Sequence, residues 1–180
     1  MASEVDIANR ALSMLGDQRN ISLTDNNKQD RAMNARYTLL RDAELTAYPW
    51  RFAVKRAQLP ASTDVPAWGY SALYARPVDD LRAIAVGGVA VNAATVGVTR
   101  SSSGYKSEDT QYDIIEGRIH TDISAPLDYE YISRVTDAGQ FDALFVEALA
   151  ARLAADAAEE LTQSKAKKEH AAFVYKEALK

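Results

Sequence analysis

Two histidines, His120 and His170, and no cysteine set the first limits on the chemistry open to this chain. Without Cys there is no thiol nucleophile, disulfide framework or Cys-based zinc site, and nucleophilic catalysis would fall to Ser or Thr. No G-x-S-x-G elbow is present, and neither histidine stands in a triad-like context. His120 alternates along a hairpin-like run and His170 lies in a lysine-rich helical run, so both read as surface or packing residues. The spacings H-x-x-x-H and H-E-x-x-H are missing, and no metal is expected. Acids stand side by side at Asp79-Asp80, Glu108-Asp109 and Glu159-Glu160. A glycosidase needs two carboxylates on either side of a bond, a geometry that adjacency does not supply. A turn after Pro77, a solvated loop and a polar helix face are the simpler readings. The run "VGGV" satisfies neither the P-loop nor the dinucleotide fingerprint, so no phosphate-bearing cofactor is expected. The chain carries no enzyme signature.

Positive charge gathers at Arg51-Lys55-Arg56 and at Lys165-Lys167-Lys168. A net charge of −4 with pI near 5.2 argues against tight general binding to nucleic acid, which depends on neutralising phosphates, but leaves a local patch open. Both clusters are interleaved with acidic or apolar positions and read first as solvated faces. The second has an alternative reading as a docking surface, because His170, Phe173, Val174 and Tyr175 follow it on a short terminal helix that needs packing to be stable. No apolar run reaches membrane-span length, and "MASEVDIANR" lacks the basic start and apolar core of a signal peptide. The expected placement is a reducing cytoplasm, where the sequon Asn20-Ile21-Ser22 would be accidental.

The elements that must position these groups fall into three stretches. Ser3 and Asp6 cap "EVDIANRALSMLG", with Ile7, Ala11 and Leu15 on one stripe and Gly16 at the stop. From about Asn27 to Tyr48, Met33, Tyr37, Leu40 and Leu45 recur at helical spacing, with Arg31, Arg36, Arg41 and Glu44 expected outside. Pro49 ends that helix, and a strand is expected from "RFAVKRA". In the middle, "AVGGVAV" and "YDIIEGRIHT" read as hairpins, and "LDYEYISRV" as a half-buried strand with Leu127, Tyr129, Tyr131, Ser133 and Val135 inward. The polar run "TRSSSGYKSED", within 99–111, reads as a loop expected to be mobile or to order only on a partner. Helical periodicity returns with Phe141, Leu144, Phe145, Leu149 and Leu153, its other side smoothed by alanines, and "TQSK" suggests a break before a last helix. The fold class is therefore α+β: a mainly α-helical bundle of two N-terminal helices (1–50) and two C-terminal helices (136–180), with an antiparallel β subdomain (51–135) inserted between them.

Four stretches together, "DIANRALSMLG", "RAMNARYTLLRDAELTAYPWRFAVKRAQL", "WGYSALYARPVDDLRAI" and "YISRVTDAGQFDALFVEALAARLA", resemble the tail tubular protein A, or head-to-tail adaptor, family of short-tailed bacteriophages. The pattern Y…LRD…L…PW.FA.KRA.L is its most specific part, and the resemblance is weakest over 86–123. It implies a non-enzymatic virion protein at the head-tail junction, assembled in the host cytoplasm. Copies, usually twelve, would form a ring bound to the portal protein, extend the channel through which double-stranded DNA passes without specific binding, and dock the tail nozzle, a tail tubular protein B-like partner. On this reading the C-terminal helix from Ser164 is the portal-docking element, with Lys165, Lys168, Phe173 and Tyr175 as contacts, and is expected to be separable from the rest of the fold. Trp50, with Tyr48, Arg51 and Phe52, is either core or an anchor between subunits. No cofactor and no membrane are implied.

Two other classes remain open on the residues alone. One is a phage cell-wall-degrading glycosidase using two carboxylates. The other is a small DNA-binding module using Arg51, Lys55 and Arg56.

Overall fold

Helix α1 (Glu4–Met14) begins where the sequence supplies a reciprocal cap: the Ser3 side chain accepts from the Asp6 amide while the Asp6 carboxylate accepts from the Ser3 amide. Ile7, Ala8, Ala11, Leu12 and Leu15 are all buried, one stripe at helical spacing. Helix α2 (Lys28–Ala47) is capped by Asn27 and stops at Tyr48, which is extended ahead of Pro49. Helices α3 (Ala143–Thr162) and α4 (Lys165–Ala178) are separated by Gln163 in the left-handed region and are capped by Asp142 and Ser164. This computed structural model describes residues 2–18, 27–91 and 112–179. The sequon at 20–22, the loop 99–111 and the pair Glu108-Asp109 lie outside them.

The chain divides into two units, a helical one (1–52 with 135–180) and a β-rich one (53–134), so the fold is α+β with the β subdomain inserted between helices. In the helical unit α3 lies against α1, α2 and α4. Ala148, Ala150, Ala151, Ala154, Ala157 and Ala158 are buried around much of α3, which lets neighbouring backbones approach closely. Leu144 departs from the expected apolar stripe: it sits one residue inside the start of α3 and is 63% exposed, while Phe145 takes the buried position.

In the β-rich unit, β1 (Val54–Leu59), β7 (Leu127–Ser133), β3 (Asp80–Val86) and β4 (Val89–Ala90) form one antiparallel sheet in that order. β2 (Ala72–Ala75), β6 (Arg118–Thr121) and β5 (Tyr112–Ile115) form a second. Arg51–Ala53 is a 3-10 turn, so the strand expected from Arg51 starts at Val54. Gly87-Gly88 (φ 59 and 81) and Glu116-Gly117 (φ 52 and 74) close the two hairpins, with positive φ at both central positions as a tight two-residue turn requires. Leu59, Tyr74, Val86, Ile119, Leu127, Tyr129 and Tyr131 from both sheets share one core.

Candidate functional site

The buried stripe of α2 is half polar. Asp30, Arg41 and Glu44 are buried beside Met33, Tyr37 and Leu45, which corrects the expectation that Arg41 and Glu44 face outward. Leu40 is only half buried. Positions 30, 33, 37, 41 and 44 form one helical stripe; Asp30 is held locally by Asn27 and Arg41 by Asp42, whereas the partners of Glu44 come from remote sequence. Arg152 of α3 donates from Nη1 to Glu44 Oε2 at 2.8 Å, and Tyr175 of α4 donates its hydroxyl to the same oxygen at 2.9 Å. The Arg152 guanidinium also lies 5.8 Å from the Tyr175 ring centroid, within cation–π range. Burial, reinforced by the hydrogen bond to Glu44, pushes the Tyr175 hydroxyl up to about 12.

Glu44 is used a second time. Its backbone carbonyl accepts the Trp50 indole N–H at 3.1 Å, and the indole stands edge-on to Phe145 with centroids 5.2 Å apart. Phe52 packs on Phe145 and Phe141 at 5.1 and 5.6 Å, and Tyr48 meets Trp50 at 6.0 Å. Trp50 therefore contributes to the core of the helical unit, Tyr48 is at its margin, and Arg51 is exposed. One short stretch, Glu44 to Phe52, fastens the end of α2 to both α3 and α4.

The four docking candidates on α4 separate by direction. Lys165 and Phe173 face outward, Phe173 at 60% exposure. Lys168 is also exposed and pairs with Glu159 at 3.1 Å, whereas Tyr175 turns inward to Glu44. Lys167, between the two lysines named from sequence, donates to the Leu15 carbonyl at 2.6 Å and places a cation at the C-terminal end of α1. His170 is exposed on the same helix.

In the β-rich unit, Asp79 and Asp80 are acceptors for separate partners. Lys55 and Tyr131 donate to Asp79 at 2.7 and 3.1 Å; Arg76, at 2.8 Å, and Tyr129 donate to Asp80. The hydrogen bond from Lys55 leads in holding the Asp79 carboxyl below its ordinary value. Burial leads in pushing Tyr131 up to about 12, with the bond to Asp79 adding to it. The Tyr129 and Tyr131 rings stack at 5.4 Å. Arg56 pairs with Glu130 at 2.9 Å, so Lys55 and Arg56 each have an acidic partner within this unit. Glu160 takes Arg36 at 2.7 Å. His120 stands 6.4 Å from the Tyr70 ring, and the Tyr70 hydroxyl donates to Asp113 at 2.9 Å.

Among the described residues no group of three or more His, Cys, Asp and Glu side chains could hold a metal ion, and no helix is long and apolar enough to cross a membrane. A surface depression of about 490 Å³, open to solvent, is lined by Asp6, Asn9, Arg10, Ser13 and Met14 of α1. Sequence reasoning missed the buried Glu44 cluster, for which the only signal was the i, i+3, i+4 placement of charges on the apolar stripe. It also passed over the doublet Ile114-Ile115, which sets apolar side chains on both faces of one strand. Comparison with protein-family models and with curated proteins finds no match for the chain.

Proposed function

We propose that this chain is a structural head-to-tail adaptor of a short-tailed bacteriophage, a virion component that binds the portal, extends the DNA channel and offers a docking surface to the tail nozzle. The observation that carries the reading is the extended resemblance through Y…LRD…L…PW.FA.KRA.L. Those residues each have a structural place: Tyr37, Arg41 and Leu45 are buried on α2, Trp50 holds the end of α2 through the Glu44 carbonyl, Ala53 is buried and Leu59 enters the β core. A motif whose residues specify a helix, its end and a strand supports kinship of fold across its length. The engagement of Lys55, Arg56, Asp79 and Asp80 within the fold is consistent with a structural role. The net charge of −4 on each copy favours a mostly acidic channel wall, along which DNA slides without adhering.

Portal docking falls to the outward side of α4, with Lys165 and Phe173 as its contacts. Removing residues 164–180 is not a clean test, because it takes Tyr175 from Glu44 and Lys167 from Leu15 and uncovers the alanine face of α3. The double variant Lys165→Glu, Phe173→Ser alters only exposed side chains. Native mass is measured for the protein alone and mixed with assembled portal rings. A discrete complex with about one copy per portal subunit, lost in the double variant, is expected on the ring stoichiometry of homo-oligomers. Absence of any association overturns the adaptor reading, and undiminished association of the variant overturns the assignment to α4.

A further inference from the structure

Strand β5 is unfinished on both faces. In its hairpin with β6 the closing pair is Ile115 with Arg118, followed by Ile114 with Ile119, Asp113 with His120 and Tyr112 with Thr121. A two-residue turn makes the closing pair a hydrogen-bonded one, so Ile115 and Asp113 direct their backbone groups toward β6. Ile114 and Tyr112 direct theirs outward, and among the described residues β5 is the last strand of its sheet. Ile114 shares the inner face with Ile119 and Tyr74, which are wholly buried, yet it is 38% exposed. Ile115, on the opposite face, is 47% exposed. A helix or a membrane surface would cover one face only; a strand laid alongside covers both and satisfies the outward N–H and C=O groups. Within Tyr112–Ile115 there is no Lys or Pro, and its pairing with β6 has no bulge.

We infer that the outer edge of β5 is a strand-addition site for the β1 edge of a second copy of this chain. Among the described residues β1 and the two-residue β4 end the other sheet, and β1, with six residues, is long enough to span the four of β5. Charge selects it. β5 and its turn carry Asp113 and Glu116, whereas β1 carries Lys55 and Arg56. Pairing β5 with its own copy would set acid against acid. The Arg56 side chain is 83% exposed while holding Glu130, so its guanidinium retains donors for a second carboxylate. Joining unlike edges is heterologous, the type of contact that closes into rings or grows into filaments. Copies joined in this way make no use of the portal, so the pairing stands or falls apart from the adaptor reading.

Amide-resolved hydrogen exchange of the full chain, dilute and concentrated, tests it. The Ile114 and Tyr112 amides are expected to exchange freely in dilute protein and to slow several-fold at high concentration, with Ile115 and Asp113 unchanged. Ile114→Lys should remove that slowing while the circular dichroism stays that of the parent. Because the chain has no cysteine, two single-cysteine chains, Ile115→Cys and Gln58→Cys, can be mixed under mild oxidation. A mixed disulfide forming several-fold faster than either like pair is expected. Protection of Ile114 already present in the dilute monomer would show that the chain itself fills the edge and would overturn the inference. Dominant pairing of Ile115→Cys with itself, or no disulfide above that of an exposed Glu169→Cys control, would also overturn it.

Discussion

The Tyr175 hydroxyl reaches Glu44 Oε2 at 2.9 Å across 131 residues of sequence, and Arg152 meets the same oxygen from a third helix. Glu44 Oε1 is buried with no protein partner, so the carboxylate depends on these two donors. Arg152→Met should destabilise the helical unit by about 2–3 kcal/mol, below the about 3–5 kcal/mol of a fully buried broken pair, because the Arg152 side chain keeps 30% of its surface in water. Tyr175→Phe should cost about 1–2 kcal/mol. Urea unfolding followed by helical circular dichroism measures both, and the double variant should cost less than the sum because the residues share one acceptor.

Alkaline pH should loosen α4. The Tyr175 hydroxyl titrates at an ordinary value of 10.0 in the unfolded chain and is pushed up to about 12 in the fold. A group whose folded value is raised contributes stability that is complete below the unfolded value and is lost as pH rises toward the folded one. Stability of the helical unit should therefore fall between 10.0 and about 12, and Tyr175→Phe should flatten that decline. An unchanged slope in the variant would show that Tyr175 is not the responsible group.

In the β-rich unit Asp79 contributes to the acid limb. Its carboxyl is held below 3.8 first by the hydrogen bond from Lys55, so its contribution is present above 3.8 and is lost as pH falls through the lower folded value. Lys55→Met should move the Asp79 titration midpoint up toward 3.8, read by carboxyl-detected NMR. The bonds from Arg76 and Tyr129 to Asp80 do not involve Lys55 and should survive in the same variant.

Gly87→Ala should damage the first hairpin. A Cβ there would lie 2.3 Å from Ile123 Cδ1, and the residue sits at φ +59. Overpacking and left-handed strain together should cost about 2–4 kcal/mol in chemical unfolding. Adding Ile123→Ala should recover the steric part and leave the backbone part. Gly88→Ala, with nothing within 4 Å, should suffer the backbone part alone.

Legibility in the sequence followed the range of the interaction. The Ser3–Asp6 cap, the stop at Pro49, the turns at Gly87-Gly88 and Glu116-Gly117 and the alternation of Leu127, Tyr129 and Tyr131 are local signals, and each corresponds to structure at those residues. Glu44 was placed on the wrong side of α2 because its partners, Arg152 and Tyr175, are 108 and 131 residues away. No window along α2 reveals them. Leu144 failed for a related reason: a helix start tolerates an apolar residue on its open side, and burial at Phe145 rather than Leu144 is decided by the ring cluster around Trp50 and Phe52. Of the docking candidates on α4, periodicity alone could not separate the outward Phe173 from the inward Tyr175, since Ala171 is the only fully committed packing position among the described residues of that helix.

The β-rich unit is attached by two strands whose outer ends lie together, with the Ser133 hydroxyl on the Ala53 carbonyl at 2.9 Å and Val54 opposite Ile132. Tension applied between the chain's two flanking segments would enter β1 and β7 at the same end of an antiparallel pair. Such a load peels the ladder one rung at a time, from Val54 toward Leu59, and never strains all its rungs at once. Because the two flanking segments pack on each other as α1 and α2 against α3, the stem feels such a load only after those helices part, and the inserted unit then opens rung by rung from its stem.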